Sequence, residues 1–172
     1  MERKKTNFLL TAFFTLVLSV SPLMAQATKD VTFQVTLAEW YDLYISQDTI
    51  TFTDVAPTPG SNPGTVQLPA NEGPVAVRAF AIMVPSSSLR LTVTADGDFH
   101  STIPASTVSW TASGTGYQPG NLQNGVAVIV GQWSGSILHW HEGNLSFSFM
   151  RDYANQEPGT YSITATYTLS KI

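Results

Sequence analysis

The side chains in this chain best suited to chemistry stand together at His139-Trp140-His141. In a strand, residues two apart share a face, so both imidazoles can reach one divalent cation. Glu142 would be a third donor if its loop turns back. His100 lies far away in the chain. Two histidines alone make a weak metal site, and the plainer reading is a surface pair flanking an inward Trp140. Asp96-Gly97-Asp98 offers oxygen donors, but calcium takes about 6–8 oxygens. Asp and Gly are standard turn residues, so a turn is expected there. In Gly131-Gln132-Trp133-Ser134-Gly135 the serine is out of place for a Gly-x-Ser-x-Gly elbow. A glycosidase needs two converging carboxylates, whereas the acids here are scattered, mostly at turns. The chain has no cysteine, which removes thiol nucleophiles, thiolate metal sites and disulfides. The expectation is a protein that is not an enzyme and holds no metal or cofactor.

Aromatic residues are the second candidate chemistry. Trp40, Tyr44, Trp133 and Trp140 are the residues that would form a flat amphipathic platform. Such platforms stack on sugar rings or anchor protein interfaces. Trp40 and Tyr44 fall on the parity opposite Tyr41, Leu43 and Ile45, so one set is exposed if the other is inward. Trp110 is expected in the core, the commoner fate of a large aromatic.

The elements that position these residues read as strands. Val31-Thr32-Phe33-Gln34-Val35-Thr36-Leu37 alternates apolar with polar, giving one dry and one wet face. Tyr41 to Ile45 and Thr49 to Thr53 alternate too. Ala56 to Gly73 holds four prolines and three glycines and reads as loop. Val75 to Val84 is apolar on both faces apart from Arg78, which points to a central strand covered on both sides. Leu89, Leu91, Val93 and Ala95 alternate with polar residues. Val126 to Val130 is a short β-branched run. Ser136–Trp140 and Leu145–Met150 read as a hairpin, with His141-Glu142-Gly143-Asn144 as its loop. Tyr161 to Leu169 is the cleanest alternating strand. No window shows a sustained helical period. The fold expected is all-β, an immunoglobulin-like antiparallel β-sandwich of about eight to ten short strands.

Residues 1–27 read as a secretory signal. Arg3, Lys4 and Lys5 precede an apolar run of 13 residues from Phe8 to Val20. That run is shorter than the roughly 20 residues a membrane-spanning helix needs. Ala25-Gln26-Ala27 supplies small residues for cleavage after Ala27, with Ala25 the second choice. What remains, residues 28–172, is one domain on length. It holds 5 basic and 11 acidic side chains, a net charge of −6. No basic stripe forms, which argues against nucleic acid as a partner. No membrane-spanning segment is expected after cleavage.

Three stretches carry a resemblance. Leu89 to Phe99 leads through Asp96-Gly97-Asp98 into Ile103-Pro104-Ala105-Ser106-Thr107-Val108-Ser109-Trp110. Glu157-Pro158-Gly159-Thr160-Tyr161-Ser162 opens a last strand rich in Thr and Tyr. Near the start, an alternating strand precedes Ile50-Thr51-Phe52 and Asp54-Val55. Together these resemble bacterial exported immunoglobulin-like surface domains, similar in pattern to cysteine-free pilin or fimbrial subunits. The resemblance implies a structural or adhesive protein of the cell envelope, at its most specific a pilin-like subunit. It implies residence in the periplasm, at the cell surface or outside the cell. It implies other envelope or fimbrial subunits as partners, with surface glycans as the alternative. In fimbrial subunits an N-terminal strand completes the next subunit, and Val31, Phe33, Val35 and Leu37 have the spacing to fill alternate pockets. The alternative reading is a carbohydrate-binding module using exposed tryptophans.

Overall fold

A computed structural model describes residues 29–172 apart from 63, 85, 136 and the side chains of 137 and 138. The segment read from the sequence as a secretory signal, residues 1–27, therefore lies outside the described residues. Leu37–Ile172 forms one compact unit. Its elements are β1 (Trp40–Ile45), β2 (Thr65–Pro69), β3 (Val75–Ile82), β4 (Ser88–Ala95), β5 (Val108–Ser113), β6 (Gly120–Asn121), β7 (Val128–Ser134), β8 (Ile137–Asp152) and β9 (Ala165–Lys171), with a single 3-10 turn at Ala105–Thr107. The fold is all-β, as the alternation requires. Among the described residues no helix is long and apolar enough to cross a membrane.

Two antiparallel sheets pack face to face. The larger runs β1-β3-β8-β5-β6, with β2 paired to the far part of β8; the smaller runs β7-β4-β9. The period-two pattern explains the core between them. Val75, Val77, Ala79 and Ala81 of β3 are buried, as are Leu89, Leu91, Val93 and Ala95 of β4. Trp110, Leu145 and Phe147 join them. Burying the valines and leucines among them stabilises by about 1.5–3 kcal/mol each, and no cross-link contributes in a chain without cysteine.

Several expectations fail, each for a local reason. β3 is central but covered on one face only: Arg78 and Ile82 of its outer row are exposed. Phe80 on that row meets Trp40 and Trp140 rather than a second layer. The expected hairpin at 141–144 is instead the middle of one 16-residue strand, β8. Asn144 pairs with Ala76 on one side and Ser113 on the other. The region Ala56–Gly73 includes β2, whose Pro69 ends it at a sheet edge where no ladder donor is needed. Thr49–Thr53 forms no strand; Thr51 is tied to Glu72 and Asn71 through side chains. The last strand begins at Ala165, not Tyr161, because Thr164 and Asp96 exchange hydrogen bonds that end the ladder. Residues 29–39 carry no strand either.

Candidate functional site

Two surfaces of the compact unit stand out, a groove and an outer aromatic face. The groove follows from unequal sheets. β1 ends the larger sheet on one side, and β9 pairs with β4 alone among the described strands. These two edges are pinned at one end, where Lys171 Nζ lies 2.5 Å from Glu39 Oε1. Toward the other end, a cavity of about 1430 Å³ opens between them. Leu43 and Ile45 of β1, Phe149 of β8, and Ile163, Ala165 and Tyr167 beside and within β9 line it. These side chains are only partly buried, although they pack on the core. Burial nonetheless pushes the Tyr167 hydroxyl up to about 12.

A polar latch closes one rim of the groove. Arg151, 9% exposed, donates from Nε to Asp54 Oδ2 (3.1 Å) and from a terminal nitrogen to the Gln156 carbonyl (2.6 Å). Tyr153 donates its hydroxyl to Asp54 Oδ1 at 2.5 Å, and that bond is the main cause of its raised pKa. The Arg151 guanidinium also lies 4.9 Å from the Tyr153 ring. A nearly buried cation must be paired and hydrogen-bonded, and here its partners anchor the 47–57 segment to the end of β8. The donors and acceptors are thus committed to one another.

Val31, Phe33, Val35 and Leu37 are all exposed, Phe33 at 92%.

The aromatic platform is partly as the parity argument placed it. Trp40 (54% exposed), Tyr44 and Trp140 (39%) are on the outer face of the larger sheet. Phe80, which the sequence reading passed over, bridges them, its ring 5.4 Å from each tryptophan. Its signal was its outward parity between Ala79 and Ala81. Trp133 does not belong: it is 5% exposed and donates from Nε1 to the Thr115 carbonyl at 2.7 Å. The β7 parity buries Val130 on the opposite phase too, because a bulge shifts the register near Gly131.

His139 and His141 do share a face, with ring centroids 5.0 Å apart, but Trp140 between them points outward, reversing the expected arrangement. His141 is half-buried and stacks on Trp133 at 5.1 Å. Burial first, then the His139 charge, lowers its pKa. Among the described residues no three His, Cys, Asp or Glu side chains converge on a metal-holding arrangement. Asp96 and Asp98 spend their carboxylates on backbone and amide N–H groups of Thr164, Ala105 and Asn124, which makes them turn clamps. Comparison of the chain with family models, with curated proteins and with solved structures gave no match.

Proposed function

We propose that this protein is an exported structural subunit of a bacterial envelope assembly, pilin-like in that residues Val31–Leu37 of one copy complete the groove of another. The observation that carries the reading is the pairing of an open, apolar groove with an exposed, alternating apolar segment in the same chain. The groove is larger than the 300–1,000 Å³ usual for small-ligand pockets. Seven residues of extended chain span about 20 Å, with Val31, Phe33, Val35 and Leu37 on one side and threonines or Gln34 on the other. The edge of β9, unpaired among the described strands, offers backbone donors and acceptors to such a strand. Only the apolar row would need to enter; the polar row would stay in water.

The test is the assembly state of the mature chain. Wild-type protein is expected to form concentration-dependent oligomers that survive mild denaturant, and deletion of residues 28–38 should leave a folded monomer. Phe33→Asp should weaken association without lowering the melting temperature of the monomer. A wild-type chain that sediments as a monomer at the highest attainable concentration would defeat the reading.

A further inference from the structure

We infer that the outer face of the six-stranded sheet binds neutral glycans, through a site centred on Trp40, Phe80 and Trp140. This goes beyond the assembly reading and does not depend on it, because the groove and this face use opposite sides of the larger sheet.

Three rings from three neighbouring strands make the site. Trp40 starts β1, Phe80 lies in β3 and Trp140 in β8, and ladder pairing fixes their order. The rings touch in sequence, at 5.4 Å between centroids, edge-on for the first pair and tilted for the second. Each tryptophan is braced by Phe80 and still presents ring surface to solvent. Aromatics held on strands lose little freedom on binding, which is the property a stacking surface needs.

What distinguishes a sugar from other occupants is the surround. A pyranose offers an apolar C–H face and a rim of hydroxyls, so it needs ring surface beside exposed hydrogen-bonding groups. Along the same strands, two residues from Phe80 and from Trp140, Arg78 and Glu142 form an ion pair at 3.2 Å, with half or more of each side chain exposed. The Arg78 guanidinium also lies 5.5 Å from the Tyr44 ring. The pair holds a donor fork and an acceptor in fixed positions, and both keep free valences toward solvent. Asp42 lies on the same face, opposite Phe80 in the ladder. Farther along, β8 and β5 present the uncharged Asn144, Ser146 and Thr111, all exposed. One cation stands against two carboxylates, on a chain of net negative charge. Such a field repels polyanions, so the ligand is a neutral glycan. A protein partner would need about 800 Å² with an apolar centre, whereas the apolar patch here is three rings and Ile82 beside Trp40, and toward Arg78, Glu142 and Asn144 it gives way to charge and polar groups.

The experiment uses the mature chain and three neutral hexasaccharides (of glucose, N-acetylglucosamine and mannose), with a heparin hexasaccharide as the polyanion. Tryptophan fluorescence and calorimetry should report saturable binding of at least one neutral probe, in the millimolar range or tighter, and none of heparin. Trp40→Ala and Trp140→Ala should each weaken binding about tenfold, a loss of about 1.4 kcal/mol. Glu142→Gln should weaken it too, with an unchanged melting temperature excluding a folding defect. Failure of every neutral probe to bind overturns the inference, as does binding that survives the double tryptophan substitution. A wild-type dimer that the double substitution converts to monomer would make the face a protein interface and equally overturn it.

Discussion

His141 is the residue at which packing and titration meet. Its ring lies against Trp133 in a corner where Tyr117 donates to both the Val77 and His141 carbonyls, at 2.9 and 2.8 Å. Burial, helped by His139, holds the His141 pKa below its ordinary value. The unfolded chain therefore binds more protons than the folded one as pH falls through the ordinary histidine range near 6.5. The stabilising contribution is present above that value and is lost on acidification through the lower folded pKa. Denaturant titrations at about pH 7.5 and about pH 5 should show lower stability at the acid end, with the difference reduced in His141→Phe. A pH slope unchanged by the substitution would assign the effect elsewhere. The carboxylates of Glu72, Asp98 and Asp152 are held low by hydrogen bonds, so their losses fall at more acid pH and do not confuse this window.

At the scale of the element, β8 is where sequence reasoning and structure part most clearly. A Glu-Gly-Asn run between apolar stretches carries the chemistry of a turn. Gly143 has no positive φ; its reason is space. A Cβ there would stand 2.4 Å from Tyr117 Cδ2 and 2.5 Å from the Ser113 carbonyl oxygen. Gly143→Ala should therefore cost about 1–3 kcal/mol through overpacking, measured by chemical denaturation, whereas Gly97→Ala, with nothing within 4 Å, should cost far less. Equal effects would mean the strand does not pack as described. The strand β4 was legible because one buried face leaves an unambiguous alternation, whereas the apolar Phe80 and Ile82 on the outer row of β3 hid which of its faces is covered. The outward parity of Trp40 and Tyr44 was legible too. Trp133 was not, because a bulge in β7 resets the phase and three-dimensional neighbours decide burial. The Arg151–Asp54–Tyr153 latch joins positions about a hundred residues apart, and nothing local in the chain signals it. Phe80 was legible in principle from its position between two buried alanines.

On the scale of the whole molecule, the sandwich is asymmetric: one sheet has six strands and the other three. The uncovered part of the larger sheet's inner face is the groove. Apolar side chains left in partial contact with water forgo part of their transfer free energy, about 25 cal/mol for each Å². A strand that covers them recovers it. A synthetic peptide of residues 29–38, added to protein comprising residues 39–172, should therefore raise its stability by mass action. At one hundred times its dissociation constant the gain is about 2.7 kcal/mol, readable as an increase in melting temperature. A peptide with Phe33 and Val35 changed to Asp should give no increase. Stabilisation by both peptides alike would show that the effect is not groove filling.

The continuity of β8 also has a mechanical consequence. Its 16 residues extend about 50 Å, and it is hydrogen-bonded to β3, β5 and β2 along its length. Tension applied along that strand strains its ladder bonds in shear, many at once, instead of unzipping them singly. A molecule pulled in that direction yields only when whole rows give way together, and it resists stretching without any covalent bridge.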